Sequence, residues 1–381
     1  MIDPSVVGES LQRQLDDLTR RRGVVHAVLA VERQDGSFRW TGAAGDADGR
    51  GTSMEADTPF FAASITKMYT ATTVLRLHER GLIDLDASML TYLPPSLVDG
   101  LHRWRDTDRT REITVRHLLG HTSGLASYFE DRPKGGRSRA EEMFRDGDRG
   151  WDISEVCAIV RDRLKPHFAP GSGIRYSDTN YALLGAVLEA VAGRPLHAIF
   201  AEELLDPLGL RDTYLAGHPP KENGRPPASL FFDGQPLDRP RAMESVGAQG
   251  GLVTTCPEAI TFLRALFDGQ LFADPSTLSL VTSGWRRFGL PLDRAALRAP
   301  SWPIEYSLGF MRFQLPRALY GKRRRPSLLG HAGSSGSWLF MAPEQQLFFV
   351  GTVDEVTSGA VPYRLLPRLL RVMEKLSLTR R

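Results

Sequence analysis

Cysteine occurs only twice in this chain of 381 residues, at positions 157 and 256, too few for a disulfide framework. Cys157 falls within a helical pattern and Cys256 heads another helix, so two reduced thiols are expected. No segment approaches the ~20 consecutive apolar residues needed to span a bilayer. The N-terminal Met-Ile-Asp-Pro-Ser has neither the basic nor the apolar region of an export signal, so the expected location is cytoplasmic, although a removed leader would leave the same mature sequence. Strong charge of either sign is also absent: 48 Lys and Arg stand against 45 Asp and Glu, a net charge of +3. The basic residues are scattered among acids, which excludes an electrostatic footprint for nucleic acid. The one dense basic cluster, Lys322-Arg-Arg-Arg325, reads as a solvated loop between strands. Lysine is scarce, six residues against 42 arginines, so a lysine inside an apolar helical pattern is less readily explained as a generic surface cation.

What is present is ample apolar material, 41% of residues, enough for a sizeable core in either two domains or one domain with a large insertion. Val6, Val7, Leu11, Leu15 and Leu18 form one stripe of a helix over residues 5 to 20. Val25 to Val31 reads as a buried strand, Gln34-Asp-Gly36 as a turn, and the segment from Ser37 as the antiparallel partner. Between residues 82 and 249 the pattern is helical, near 114 to 120, 152 to 165, 179 to 192 and 195 to 205, with a long Pro- and Gly-rich loop at 217 to 240 that would rim a cleft. Strand candidates return at Tyr306 to Phe313, Ser337 to Met341 and Gln346 to Val353, followed by an amphipathic helix from Val361 to Leu376. Strands at both ends around a helical middle predict an α+β fold. One antiparallel sheet, built from residues 1–81 and 250–381 and flanked by helices, would face a mainly helical domain at 82–249.

The motif richest in chemistry is Ser64-Ile-Thr-Lys67. A serine and a lysine three residues apart share one face of a helix, and Met68, Ala71, Val74, Leu75 and His78 continue at helical intervals to a stop at Gly81. A serine hydroxyl needs a base within hydrogen-bond reach to become a nucleophile, and a partly dry lysine one turn along can be that base. With 26 serines and six lysines, about 0.4 such matches arise by chance, so its companions matter. Tyr176-Ser-Asp178-Thr-Asn180 follows a Pro170-Gly-Ser-Gly turn and opens an apolar helix. Gly330-His331-Ala-Gly333-Ser334-Ser-Gly336 precedes a strand-like run. Three polar motifs at the edges of hydrophobic elements are the pattern of an active site assembled from separate segments. His117 and His121 have the i, i+4 spacing of a zinc pair but no adjacent glutamate and no third ligand, so neither metal nor cofactor is expected.

With these motifs, and with Ile113 to Leu125, Pro207-Leu-Gly-Leu210 and Gly250-Gly-Leu-Val-Thr254, the chain resembles the serine hydrolases of the class C β-lactamase and D-alanyl-D-alanine carboxypeptidase family, which includes esterases and D-amino-acid amidases. The resemblance implies Ser64 as nucleophile, Lys67 as base and Tyr176 as second proton carrier, its phenol pKa lowered by the nearby lysine. The N–H groups of Ser64 and Ser334 would bind the oxyanion, and Asp178, His331 and Gly333 would contact substrate. Asp178 departs from the asparagine common in the family: a carboxylate cannot donate to a substrate carbonyl and would pair with Lys67, raising the lysine's pKa. His331 replaces the lysine of family lactamases and offers less fixed positive charge to a substrate carboxylate. Small esters or amides are therefore the expected substrates, with a D-alanyl-D-alanine peptidase or β-lactamase, or a non-catalytic acyl-ligand sensor, as the alternatives. The sequence leaves oligomeric state open. Trp338, Tyr128 and Phe129 are aromatic residues that read as packing rather than as pocket lining.

Overall fold

A computed structural model describes residues 4–220, 224–290, 303–315 and 326–377. Lys322-Arg-Arg-Arg325 lies outside the described residues. The central element is an eight-stranded antiparallel sheet whose order is Arg286–Arg287, Ile304–Tyr306, Met311–Gln314, Ser327–Ala332, Trp338–Ala342, Leu347–Thr352, His26–Arg33 and Arg39–Gly45. The sheet is thus made from both ends of the chain, joined where Val31 opposes Phe349 and Ala30 opposes Val350.

Alternation along the strands splits the side chains between two cores. From His26–Arg33, Ala27, Leu29 and Val31 face one side and Val28 and Ala30 the other, as period-2 pleating dictates. The first side is covered by the helix Pro4–Thr19, whose Val7, Leu11, Leu15 and Leu18 are buried, and by Val361–Ser377, which buries Leu365, Leu366, Leu369, Leu370 and Met373. The second side is covered by Cys256–Phe267 and leads into the helical part of the molecule through the buried helix Thr66–Glu79. Burial on both faces explains why Leu347–Thr352 reads as a continuous apolar run rather than an alternating one.

The middle of the chain is helical at Val115–Leu119, Ile153–Arg163, Asp178–Ala192 and Leu196–Phe200, close to expectation. Three features differ. The strand expected from Tyr306 to Phe313 is two strands, Ile304–Tyr306 and Met311–Gln314, because the Ser307 amide turns back to the Phe310 carbonyl at 2.9 Å. Gly309 holds that turn at φ 88°, where an added Cβ would lie 2.2 Å from Ala71 Cβ. The motif Gly330 to Gly336 precedes the strand Trp338–Ala342, as expected, but its first three residues also end another strand, Ser327–Ala332, that was not expected. Short strands also occur where none were expected: Tyr214–Leu215 pairs with Leu252–Thr254, which pairs with Phe60–Phe61 just before Ser64. Cys157 and Cys256 are buried and free. No single helix among the described residues is long and apolar enough to cross a membrane.

Candidate active site

The turn carrying Ser64 is built from both sides. The Ala62 amide donates to Leu252 O at 2.8 Å, the Leu252 amide donates to Thr66 Oγ1 at 3.0 Å, and Thr66 Oγ1 donates to Ala63 O at 2.7 Å. From the large sheet, Ser337 Oγ donates to Ala62 O at 2.9 Å. These bonds hold Ala63 at φ 48°, a left-handed conformation that costs an alanine about 1–2 kcal/mol and persists where its surroundings over-determine it. Gly333 is needed here for close approach: a Cβ on it would lie 2.1 Å from Ser337 Oγ and 2.8 Å from Ala62 O. The glycine therefore brings the strand end against the serine-bearing turn, and Ser334 follows it into the wall of the cavity that Ser64 faces.

Lys67 is completely buried on the helix Thr66–Glu79. Its Nζ is 3.2 Å from Ser64 Oγ, 2.8 Å from Asp178 Oδ1 and 2.8 Å from the Gln249 main-chain oxygen. Burial pushes the lysine below its usual pKa even though the Asp178 carboxylate pulls it upward, so the net shift is opposite to the rise expected from the aspartate alone. Tyr176 lies with its ring centroid 4.9 Å from Lys67 Nζ. Its phenol is pushed well above its ordinary pKa, first by burial and then by the Asp178 charge, with the Ser64 hydroxyl acting in the other direction. The expected lowering is therefore reversed: burial, and after it the Asp178 charge, hold this phenol in its protonated form.

Asp178 Oδ2 accepts from Ser127 Oγ at 3.2 Å, so the carboxylate is held between a hydroxyl and an ammonium. His331 is fully buried and forms no part of the cavity wall. Its Nδ1 faces Ala332 O at 2.7 Å and its Nε2 the Tyr306 hydroxyl at 3.2 Å. Burial, then the nearby Lys67, pushes its pKa down to about 3, so it is a neutral ring behind Tyr176, at a centroid separation of 6.2 Å, and not a direct substrate contact. His121 is likewise buried and neutral, its Nδ1 accepting from the Ser177 amide and the Asn180 side chain. Among the described residues no cluster of His, Cys, Asp or Glu could hold a metal.

The three motifs thus converge on one cavity of about 770 Å³, walled by Ser64, Tyr176, Asp178, Gly333 and Ser334 on the polar side. The lining also includes a large apolar part, with Phe129, Met143, Phe144, Leu230, Phe232 and Phe313. Leu230 and Phe232 come from the 217–240 segment, which forms part of the wall as expected for a cleft rim. Phe129 lines the cavity although its sequence context suggested packing, whereas Trp338 and Tyr128 are buried. No Lys, Arg or His belongs to the wall among the described residues. Sequence reasoning missed Ser127, which holds Asp178, and Gln249, whose carbonyl holds Lys67. Each lies within three residues of a segment that carried the family resemblance, and that adjacency was the available signal.

A β-lactamase family model matches residues 10–366. The chain is 34% identical to Esterase EstB of Burkholderia gladioli over 264 residues, which cover 68% of this chain and 61% of that esterase. The match therefore spans less than two thirds of that relative's length. A D-stereospecific amidohydrolase from Streptomyces sp. superposes with a TM-score of 0.68 at 27% identity, covering 94% of this chain and 96% of that one. The D-amino acid amidase from Ochrobactrum anthropi SV3 shares the fold, with a TM-score of 0.76 at 22% identity over 98% and 99% of the two chains.

Proposed function

The chain belongs to the β-lactamase family, and we propose that it is a serine esterase or amidase that cleaves small, neutral substrates through an acyl-enzyme on Ser64. The observation that carries this reading is the bonding of Lys67. A neutral amine has two N–H groups and one lone pair. As an ammonium, Lys67 Nζ donates to Asp178 Oδ1 and the Gln249 carbonyl, both at 2.8 Å, and to Ser64 Oγ at 3.2 Å; when it loses a proton, the two shorter bonds keep the two N–H groups and the lone pair is left for the Ser64 hydroxyl. Burial favours that neutral form.

In the proposed reaction the Ser64 proton passes to Lys67 as Oγ adds to the substrate carbonyl, and the N–H groups of Ser64 and Ser334 receive the oxyanion. The protonated Tyr176 hydroxyl gives its proton to the departing oxygen or nitrogen and is replenished from Lys67, so the C–O or C–N bond breaks to a neutral leaving group. Water then adds to the acyl-enzyme by the reverse proton route. Gly333 acts by allowing the sheet edge to approach, and His331 by packing behind Tyr176.

Neutral substrates are favoured by the wall itself, which among its described residues carries carboxylates and no cation. Esters and amides are also the classes named for the similar esterase and amidohydrolase. Assaying p-nitrophenyl esters, a chromogenic cephalosporin and a D-Ala-D-Ala peptide on wild type and Ser64→Ala tests the proposal. Ester or simple amide turnover that disappears in the variant supports it. Dominant cephalosporin or peptide turnover favours a lactamase or peptidase, and labelling without turnover favours a sensor.

A further inference from the structure

The helix Val361–Ser377 packs its leucines on the sheet, and what it turns outward is uniform. From Val361 to Met373 its exposed residues are Arg364, Arg368 and Arg371, and no others. In Arg364-Leu-Leu-Pro-Arg368-Leu-Leu-Arg371 they are interleaved with apolar residues, but steps of four and three bring them onto one face of a helix. They form a stripe about 10 Å long. A fourth guanidinium joins from the other helix on this side of the sheet. Arg21, just beyond Pro4–Thr19, is held below its ordinary pKa first by burial and then by Arg368 and Arg364, which places it beside them.

Carboxylates answer the arginines on other surfaces of this protein: Asp86 pairs with Arg116, Asp146 with Arg137 and Asp57 with Arg225. Here they do not. Among the described residues none of these four guanidinium groups has an ion pair or a hydrogen bond. The acid that acts on Arg21 is Asp17, whose carboxylate is already bonded to Arg20 at 2.8 Å. Glu374 is the one acid in the helix, a turn beyond Arg371.

We propose that Arg21, Arg364, Arg368 and Arg371 form a docking face for an anionic phospholipid bilayer. A sheet of headgroup phosphates offers every guanidinium of an extended stripe a partner, which a single phosphate ion cannot do. The neighbouring cavity favours lipid over nucleic acid as the source of those phosphates. Ala360 and Tyr363 belong to the cavity wall, and Arg364 follows directly, so the stripe begins beside a lining with a large apolar part. The exposed positions of the helix carry no aromatic ring on which a base could stack. They carry no apolar residue to insert either, so docking rests on charge, and it is reversible and sensitive to salt. It does not depend on acyl chemistry at Ser64.

Co-sedimentation with sucrose-loaded vesicles tests the proposal, using equimolar phosphatidylcholine and phosphatidylglycerol against phosphatidylcholine alone. The wild type binds the anionic vesicles at about 50 mM NaCl, is released at about 500 mM, and ignores the neutral ones. At about fivefold per arginine, the triple variant Arg364→Gln, Arg368→Gln, Arg371→Gln partitions about 100-fold more weakly, with unchanged circular dichroism. Arg103→Gln, Arg105→Gln, Arg111→Gln removes the same net charge from other exposed positions and keeps wild-type binding. Absence of wild-type binding to anionic vesicles at low salt, an equal loss in both triple variants, or tighter binding to duplex DNA than to the vesicles overturns the inference. Sedimentation requires no turnover, so each of these results leaves the esterase reading intact.

Discussion

Asp178 Oδ1 sits 2.8 Å from Lys67 Nζ across 111 residues of sequence, the amine fully buried and the carboxylate only slightly exposed, at the cavity wall. A buried lysine beside a carboxylate is pulled two ways, and here desolvation wins, leaving an amine that is more easily deprotonated than a free lysine. The carboxylate thus offsets part of the effect of burial without cancelling it.

Asp178→Asn removes the negative charge that favours the ammonium form. The Lys67 pKa then falls further, and the rising limb of kcat/KM against pH shifts to lower pH by about one unit or more. A pH–rate profile of both proteins checks this, and an unmoved limb would mean that Lys67 is not the titrating base.

Lys67→Arg keeps a basic side chain on the helix Thr66–Glu79 but cannot accept a proton in the working range. Its kcat/KM falls by about 10²–10⁴-fold while circular dichroism remains native. Activity near wild type would remove Lys67 from the proton path.

Tyr176→Phe lowers kcat by about 10²-fold or more if the phenol protonates the leaving group. Because burial and Asp178 raise the phenol pKa well above 10, the wild-type profile has no descending limb from this group at or below pH 10. The loss should be greatest for poor leaving groups, which need the proton, and small for p-nitrophenoxide. An equal loss for both contradicts the proton-donor role.

The serine-lysine-tyrosine arrangement was legible because Ser64 and Lys67 are related by one helical turn, a local geometry that spacing alone reports. The terminal strands were legible because Val25–Val31 and Leu347–Thr352 are apolar runs of strand length. Strand character at Gly330-His331 was not legible because glycine and histidine are weak strand signals, yet pairing of Gly330 with Phe340 and His331 with Leu339 puts both in the sheet. Phe60–Phe61 and Leu252–Thr254 are too short to show periodicity, and their strand character comes from pairing across nearly 200 residues. Likewise, Gln249 gains its importance from one main-chain bond to Lys67, which no local pattern encodes.

Gly333→Ala forces a Cβ to within 2.1 Å of Ser337 Oγ and 2.9 Å of Ala63 Cβ. Relief requires the serine-bearing turn to shift, so the variant loses about 1–3 kcal/mol of stability and most of its activity. Thermal melting and ester turnover on the same sample check both effects, and unchanged kcat would show that the turn tolerates displacement.

Away from the site, His26 and Asp354 form a fully buried pair at 2.9 Å. Burial alone would lower the His26 pKa, but the hydrogen bond and charge of Asp354 outweigh it and raise the value above that of a free histidine. A raised pKa means that the folded state binds this proton more tightly. The stabilisation is complete below about pH 6.5 and is lost as pH rises through the raised value. Melting temperature should fall over that window in the wild type, and His26→Gln, destabilised by about 3–5 kcal/mol, should show a flatter dependence. A parallel slope in the variant assigns the effect to other groups.

Covalent capture of the acyl group tests the central chemistry most directly. The protein is mixed with p-nitrophenyl trimethylacetate, whose bulky acyl group slows deacylation, then quenched and mapped by peptide mass spectrometry. One trimethylacetyl group per chain on Ser64, absent in Ser64→Ala, is the predicted result. An adduct on another residue, or p-nitrophenol release in Ser64→Ala at the wild-type rate, contradicts a nucleophile at this position.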